Sequence, residues 1–482
     1  MNALDVGYTL AAAALAPFWA RKPRAGWAQR MGKDLGVEPR NEAFKGSRVL
    51  LHGVSVGEVN ALRGLVELLR ARGTEVIVSA STDTGIARAI DLYARGDFPR
   101  SVVRYPLDFS WAVKRFLDAV RPDAVGLCEL EVWPNFVKAC ARRNIPVAVV
   151  NGRLSERSFK GYRRARWALR GTFARLSAAA VQDDQYAARF VTMGVPLARV
   201  SVSGSMKWDS ARLDQSPAEA DALATAMGID RTRPLIVAGS TAEGEEAMLH
   251  QACPPGVQLL CAPRKPERFE QAAADLPGCI RRSWSKPGGA QPLHVQGLGT
   301  TRQRYLLDTI GELRAAYALA DVCIVGRSFG KLFGSDPIEP VSLGKATVIG
   351  PAFGDFATIV AALKSAGAIE VTAAGDLRRV LRSLLDEPAR RTRLAARGRA
   401  CITEHQGATL RHATLLLTLA THGPVTSQAS VTAQDPLATR PPLNNRPPLS
   451  TRPPLNNRPP LANGLNNPGP GAGTWPARTP KT

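Results

Sequence analysis

One glutamate in a glycine-containing loop is the side chain of this sequence best suited to proton transfer. The loop His52-Gly-Val-Ser-Val-Gly-Glu58 follows Ser47-Arg-Val-Leu-Leu51, which predicts a short buried strand. Leucines then recur at helical spacing, at Leu62, Leu65, Leu68 and Leu69. Such a junction leaves backbone N–H groups open to an anion or a sugar, and Glu58 could accept a proton from a substrate hydroxyl. A glutamate that only complements a helix dipole fits the same pattern, so both interpretations stay open.

Two further carboxylates follow the strand predicted at residues 123–128. Glu129 and Glu131 come first, and Trp133 and Asn135 lie just beyond them. Carboxylates two residues apart are usually solvated. Because an aromatic ring and an amide occur at the same strand end, a ligand site and a solvated surface are about equally favoured.

A basic stretch follows the next predicted strand, at residues 146–151. Asn151 and Arg153 come first, and Glu156 is the one acid among the cations Arg157, Lys160, Arg163, Arg164, Arg166 and Arg170. Such a run is often a solvated helix face. It also fits an anionic membrane surface or a phosphorylated substrate.

Phosphate-suited loops occur in the second part of the chain. Arg264 and Lys265 follow a predicted buried strand, and arginine can grip a phosphate through two hydrogen bonds. Glycines in the segment 326–330 would let phosphates approach backbone N–H groups. Glu339, at a predicted helix start, could bind the two hydroxyls of a ribose. Each of these signals is weak alone.

Two series of alternating strands and helices must position these residues. The first spans residues 48–204, and the second begins with the strand at residues 234–240. This alternation predicts two doubly wound parallel sheets, in which ligands bind beyond the carboxyl ends of the strands. Two such halves facing each other across a cleft are typical of nucleotide-sugar glycosyltransferases.

Composition restricts the partners of the chain. It has 63 Lys+Arg against 41 Asp+Glu, a net charge of +22, and the surplus is concentrated in the first 209 residues. That part is therefore expected to meet something anionic. The seven cysteines form no CxxC pair and the six histidines no HxH or HxxxH pair, which argues for a reducing compartment and against a zinc site.

Both ends of the chain differ from the rest. Residues 1–20 are apolar and are followed by basic residues, which predicts an interfacial or marginally spanning membrane anchor, with a packed helix as the alternative. Residues 423–482 are rich in Pro and Asn and repeat Arg-Pro-Pro-Leu, so we expect a disordered tail.

Several segments, taken in order, resemble the 3-deoxy-D-manno-octulosonic acid (Kdo) transferase family of lipopolysaccharide synthesis. The resemblance runs from Gly7 to about His405. Its segments are HGVSVGE (52–58), STDTG (81–85), ELEVWPNF (129–136), NGRLSERS (151–158), GSMKWD (204–209), AGSTAEGEE (238–246), PRKPERF (263–269), DTIGEL (308–313), YALADVCIVGRSF (317–329) and IEPVSLGKATVIGP (338–351).

The resemblance implies a GT-B fold with an acceptor-binding domain at residues 21–209 and a donor-binding domain at residues 210–422. It implies a metal-independent, inverting transfer of Kdo from CMP-Kdo to a lipid A precursor at the cytoplasmic face of the inner membrane, with no nucleic-acid partner. Glu58 matches the general base and Glu129 and Glu131 the second acidic motif. The donor-side candidates are Lys207, Ser240, Arg264, Lys265, Gly326, Ser328 and Glu339. The acceptor-side candidates are Ser55, Gly57, Ser81, Asn151 and Arg153.

The chain departs from the family pattern near the expected donor. Arg327 stands where the family usually has glycine, and Asp355 where it usually has asparagine. Phe333-Gly-Ser335-Asp336 replaces Gly-Gly-His-Asn. Two alternative hypotheses follow: a GT-B transferase with another nucleotide-sugar donor, or an inactive relative that binds membranes or nucleic acid.

Overall fold

Two parallel β-sheets of seven strands each lie at the centre of the fold. The computed structural model describes residues 2, 4–9, 25–37, 39–40, 46–96, 98–211, 213, 217–285 and 303–423. The predicted tail lies outside these residues from position 424 onward. Of the predicted anchor, only residues 2 and 4–9 are described.

The first sheet has the strand order β3-β2-β1-β4-β5-β6-β7. Its strands are β1 (Arg48–Gly53), β2 (Glu75–Ala80), β3 (Val102–Arg104), β4 (Ala124–Cys128), β5 (Val147–Gly152), β6 (Ala178–Val181) and β7 (Val200–Val202). The helices in this part of the chain are α1 (residues 4–9), α2 (Trp27–Arg30), α3 (Val56–Ala61), α4 (Arg63–Ala71), α5 (Asp83–Tyr93), α6 (Ser110–Val120), α7 (Pro134–Arg142), α8 (Glu156–Arg164), α9 (Arg166–Phe173) and α10 (Asp184–Met193).

The second sheet has the order β10-β11-β9-β8-β12-β13-β14. Its strands are β8 (Leu235–Thr241), β9 (Gln258–Pro263), β10 (Ile280–Arg281), β11 (Arg304–Leu306), β12 (Val322–Val325), β13 (Ala346–Ile349) and β14 (Glu370–Val371). The helices that follow β7 are α11 (Pro217–Met227), α12 (Glu245–Ala252), α13 (Phe269–Asp275), α14 (Leu313–Leu319), α15 (Ile338–Ser342), α16 (Ala357–Ser365), α17 (Leu377–Asp386), α18 (Pro388–His405) and α19 (Ala408–His422).

Strand order reverses once in each sheet, and this reversal places the candidate site. In the first sheet β1 pairs with β2 on one side and β4 on the other, and in the second sheet β8 lies between β9 and β12. Loops that leave two such strands diverge and open a crevice at their carboxyl ends. Glu58 follows β1 and Glu129 follows β4, while Ser240 is the last residue but one of β8 and Gly326 follows β12. The two predicted Rossmann-like sheets are confirmed.

The last described helix, α19, packs on the first sheet although it follows the second. Its buried side chains join the core around β1, β4 and β5: Ala408, Ala413, Leu416 and Leu419. Leu416 lies over Gly126 of β4, where an added Cβ would approach Leu416 Cδ2 to 3.3 Å. The sequence prediction placed residues 210–422 in one domain. It did not anticipate the return of α19 to the first sheet, because an apolar helix face does not reveal which sheet covers it.

Residue 2 and residues 4–9 pack on the loop before α6 and on the start of α7. The buried carboxylate of Asp5 accepts hydrogen bonds from the Ser110 backbone N–H (2.8 Å) and hydroxyl (2.6 Å). Tyr8 donates to Asp108 (3.0 Å), which also accepts the N–H groups of Asn135 and Phe136. Burial raises the pKa of Asp108 to about 6. Among the described residues, no helix combines the length and apolarity needed to cross a bilayer.

Replacing Leu416 by alanine tests the packing of α19. We expect Leu416→Ala to lower the free energy of unfolding by about 2–5 kcal/mol, because a fully buried side chain is lost. Urea denaturation measures the change. Thr421→Ala, at an exposed position of the same helix, should stay within about 0.5 kcal/mol of the wild type. Equal stability of the two variants would contradict the packing.

Candidate active site

Glu58 is held in a fixed orientation at the start of α3. Its Oε2 accepts the backbone N–H of Val54 (2.8 Å) and its Oε1 accepts the Ser55 hydroxyl (3.1 Å). Gly53 permits this turn, since an added Cβ would lie 3.1 Å from Glu58 Cβ. Ser55, predicted as an acceptor contact, thus orients the carboxylate. Gly57 is exposed, and an added Cβ would lie 3.8 Å from the Ser55 hydroxyl oxygen.

Glu129 and Glu131 share the electrostatic environment of Glu58. Burial raises the pKa of both carboxyl groups, and the charge of Glu58 adds to this increase. The Arg153 guanidinium, 3.9 Å from Glu129, opposes the shift there. Trp133 Nε1 donates to Glu131 (2.8 Å) and lowers its proton affinity. The structure therefore brings the three predicted catalytic glutamates together, with a cation beside one of them.

Two of the predicted acceptor contacts are mainly held by neighbouring protein groups. The Ser81 hydroxyl lies 3.5 Å from His52 Nε2, and its carbonyl accepts a hydrogen bond from Arg30 (2.8 Å). Asn151 is 1% exposed, and its Oδ1 accepts the N–H of Met206 (3.1 Å). Arg153, by contrast, is partly exposed next to Glu129. Of these three residues, Arg153 and Ser81 are partly exposed, whereas Asn151 is buried.

Left-handed backbone conformations mark the carboxyl ends of four central strands. Glu129, Asn151, Ser240 and Arg327 have φ of 60°, 51°, 56° and 58°. Residues other than glycine seldom adopt this region, and asparagine tolerates it best. Such conformations concentrate at functional sites, where the surrounding structure enforces them. Three of the four residues give no local sequence signal of this conformation, so sequence reasoning missed it.

A buried glutamate that the sequence analysis did not single out organises the second sheet's loop. Glu245 accepts the backbone N–H groups of Ala242, Arg327, Ser328 and Phe329, at 2.7–3.1 Å. Its carboxylate ties the start of α12 to the loop after β12. The signal was the placement of Glu245 directly after Gly244 at a helix start.

Ser328 and Gly326 shape this loop rather than offering side chains to a ligand. Ser328 is fully buried, its hydroxyl donates to the Val325 carbonyl (2.6 Å) and it accepts the Gly350 N–H (2.8 Å). At Gly326 an added Cβ would lie 2.6 Å from the Ser240 carbonyl oxygen, so glycine is required. The predicted donor contact of the Ser328 hydroxyl has no support in this arrangement.

The donor-side candidates Arg264, Lys265 and Glu339 have charged side chains at the second sheet's loops. Arg264 and Lys265 follow β9 and are exposed. Glu339 lies in the first turn of α15, where burial raises its pKa, the charge of Asp336 adds to the increase and Arg314 opposes it. In the part of the chain that the structure describes, no group of three or more His, Cys, Asp or Glu side chains could hold a metal ion.

Lys207 and Arg153 connect the first sheet's carboxylates to the second sheet's loops. Lys207 Nζ lies 4.7 Å from the Phe356 ring centroid. Burial raises the pKa of both Glu129 and Asp336, and the charge of Lys207 partly offsets this increase. Burial works to lower the pKa of Arg153, but Glu129, Tyr186 and, by the smallest contribution, Asp355 raise it. Asp336 and Asp355, the two acids that depart from the family pattern, therefore lie near Lys207 and Arg153, respectively.

Asp336 and Arg327, which depart from the family pattern, form hydrogen bonds within the second sheet's loops. Asp336 Oδ1 accepts the Ile338 N–H (2.9 Å) at the start of α15. The Arg327 N–H donates to Glu245, as described above. The Ser335 hydroxyl is buried and has no hydrogen-bond partner among the described residues.

Removing the Arg153 cation tests the electrostatics of the three glutamates. In Arg153→Ala the pKa of Glu129, already raised by burial, should rise further, because the nearest positive charge is lost. A pH titration by NMR of protein labelled at the glutamate carboxyl carbons follows it, with the Glu129 signal assigned through Glu129→Gln. Arg157→Ala, an exposed neighbour on α8, should leave the titration unchanged. An unchanged or lowered pKa in Arg153→Ala would contradict the pairing.

Similarity to known proteins agrees with this geometry. Residues 25–210 match the family model described as 3-Deoxy-D-manno-octulosonic-acid transferase (kdotransferase). A 3-deoxy-D-manno-octulosonic acid transferase of Bordetella pertussis is 35% identical over 433 residues, which cover 84% of this chain and 96% of the relative. The enzyme of that name from Haemophilus influenzae is 30% identical over 412 residues, covering 82% and 92%.

The fold has a counterpart among solved structures. A glycosyltransferase from Rickettsia africae matches with a TM-score of 0.51 over 78% of this chain and 99% of its own, at 12% identity. That likeness concerns the fold alone, and the predicted GT-B architecture is confirmed. Because relatives at least 30% identical align over nearly their whole length, the chain belongs to the 3-deoxy-D-manno-octulosonic-acid transferase family of glycosyltransferases.

Proposed function

We propose that this glycosyltransferase, which transfers Kdo in lipopolysaccharide synthesis, takes Kdo from CMP-Kdo and attaches it to a phosphorylated lipid A precursor. The observation that carries the proposal is the convergence of Glu58, Glu129 and Glu131 at the reversal of the first sheet. Cation-bearing loops at the carboxyl edge of the second sheet complete the requirements of a transfer from a nucleotide sugar.

Glu58 is the proposed general base. Its two hydrogen bonds, from the Val54 N–H and the Ser55 hydroxyl, fix the carboxylate without neutralising it. The carboxylate takes the proton of an acceptor hydroxyl, whose oxygen forms a bond to the anomeric carbon of Kdo. The bond from that carbon to the CMP phosphate oxygen breaks, and its electron pair leaves with CMP. Attack opposite the leaving group gives inversion.

The other predicted site residues are proposed to bind the donor or the acceptor. Arg264 and Lys265 are proposed to balance the charge of the departing CMP, since exposed cations at a strand end suit phosphate. Glu339 would bind the ribose hydroxyls. Glu129 and Glu131 would accept hydrogen bonds from acceptor hydroxyls.

The departures from the family pattern do not favour a different donor. Asp336 and Asp355 would repel the carboxylate of Kdo if they stood alone. Lys207 and Arg153 face them and offset their charge. We therefore retain CMP-Kdo as the proposed donor and set aside the interpretation as an inactive relative.

The first sheet's basic surface is the proposed contact with the anionic cytoplasmic face of the inner membrane. Helix α8 has no buried residue, and α9 carries Trp167, which is 88% exposed. The exposed cations around them are Arg157, Lys160, Arg163, Arg164 and Arg170. Tyr162 of α8 lies close enough to Glu131 for the two to interact electrostatically. Cations combined with an exposed indole suit a lipid interface, and here they border the proposed acceptor site.

Replacing Glu58 by glutamine tests the proposed base. We expect Kdo transfer from CMP-Kdo to a tetra-acylated lipid A precursor to fall at least about a hundredfold in Glu58→Gln, because no proton acceptor remains. Radiolabel transfer measures the rate. Glu67→Gln, in an exposed pair with Arg63, should keep the wild-type rate.

A chelator arm tests the proposed independence of metal ions, and EDTA should leave the wild-type rate unchanged. Absence of transfer by the wild-type protein would refute the proposed substrates. Full activity of Glu58→Gln would refute the proposed base.

Vesicle binding tests the proposed membrane surface. Trp167→Ala should bind vesicles containing phosphatidylglycerol about tenfold more weakly than the wild type, because the indole no longer enters the interface. Cosedimentation measures the affinity, and added salt should weaken it. Ile310→Ala, at a 72% exposed position near the second sheet, is the matched control. Equal affinity for neutral and anionic vesicles would count against this surface.

A further inference from the structure

A buried histidine on α19 contacts the loop that carries part of the candidate site. His412 is fully buried, and burial lowers its pKa to about 3, so the imidazole is neutral. The backbone N–H of Asn151 points at His412 Nε2 at 3.1 Å. A backbone N–H can only donate, so Nε2 must be the acceptor and the ring proton must lie on Nδ1.

The turn at Asn151 depends on three contacts from separate parts of the chain. His412 accepts its N–H, Gln182 Nε2 donates to its carbonyl (3.0 Å), and the Met206 N–H donates to its Oδ1 (3.1 Å). The backbone is in the left-handed region, with φ of 51°. The turn is thus held by its surroundings, in addition to the tolerance of asparagine for this region.

Two cations of the site lie directly beside the groups held in this way. Arg153 is two residues after Asn151, and its N–H donates to the Glu129 carbonyl (3.3 Å). Lys207 follows Met206, whose N–H is bound by Asn151. A shift of the Asn151 turn would therefore move both Arg153 and Lys207 relative to Glu129.

Hydrogen bonds between the start of α19 and residues 203–209 reinforce this link. The Asp209 carboxylate accepts the N–H groups of Gly407 (2.6 Å) and Thr409 (2.5 Å) at the start of α19. Arg411 Nε donates to the Ser203 carbonyl (2.9 Å). The start of α19 and residues 203–209 are therefore joined, and His412 reaches the Asn151 turn from this joined unit.

We propose that His412 is a positioning residue of the active site, which acts through Asn151 to place Arg153 and Lys207 against Glu129. Resting on the proposed function, this inference adds a residue that touches neither substrate. Loss of the acceptor would leave the Asn151 N–H buried without a partner, and the turn would relax away from the catalytic geometry. The residue lies outside every segment that resembles the family.

Substitutions at position 412 of the full chain separate the acceptor from the ring. His412→Leu removes the acceptor, and we expect kcat for Kdo transfer to fall about tenfold or more. His412→Gln can place a carbonyl oxygen near the position of Nε2 and should recover most of the rate. CMP affinity, measured by calorimetry, should stay within about twofold, because the proposed CMP contacts lie on the second sheet's loops.

Hydrogen exchange provides a readout that does not depend on transfer. In His412→Leu, peptides covering residues 147–155 and 203–210 should exchange faster than in the wild type. Leu416→Ala, on the same helix and over Gly126 of β4, is the matched control for lost core packing. It should keep the wild-type kcat, and any faster exchange should be spread over the strands of the first sheet rather than concentrated in these two peptides.

Each outcome decides the proposal. Wild-type kcat in His412→Leu, equal loss in Leu416→Ala, or no recovery with glutamine would overturn it. If His412→Leu does not fold, His412→Asn, whose amide is too short to reach Asn151, is compared with His412→Gln, and equal rates overturn the proposal. If the wild-type protein transfers no Kdo, the proposed function fails, whereas unchanged exchange in His412→Leu refutes the positioning role alone.

Discussion

Three glutamates occupy one partly buried site, and the charge of Glu58 makes it harder for Glu129 and Glu131 to remain ionised. Burial and the charge of Glu58 raise the pKa of both Glu129 and Glu131. The charges of Arg153 and Lys207 oppose the increase in the pKa of Glu129. Neither cation lies in a loop that carries one of these three glutamates. One follows β5 and the other lies on the segment that leaves the first sheet. The protonation of the site therefore depends on how β4, β5 and this segment are held together.

Sequence patterns predicted the central strands because each is an apolar run of several residues bounded by loop residues. The edge strands β3, β7, β10 and β14 contain only two or three residues each, too few for a pattern to emerge. Strand order was predicted only as a class of fold. The partner of α19 escaped prediction, because its leucines would pack equally well on either sheet and only the tertiary fold selects one.

The positions of Glu58 and Glu129 could be predicted, because parallel strands bring their carboxyl ends to one edge of a sheet. The roles of Glu245 and Ser328 could not. Both depend on where backbone N–H and carbonyl groups point in a folded loop, which residue type does not reveal. Left-handed φ at Glu129 likewise follows from its surroundings, since glutamate has no preference for that conformation. Sequence located the site, and tertiary contacts determine which side chains face it.

The return of α19 to the first sheet has a consequence for biosynthesis. The core around β1 and β4 includes side chains from residues 408–419, so it stays incomplete until nearly the whole described chain has left the ribosome. A fragment that stopped at residue 210, where the family match ends, would expose the apolar surface that α19 covers. The two sheets therefore cannot mature as independent units in order of synthesis, and the last helix makes completion of the first sheet a late folding event.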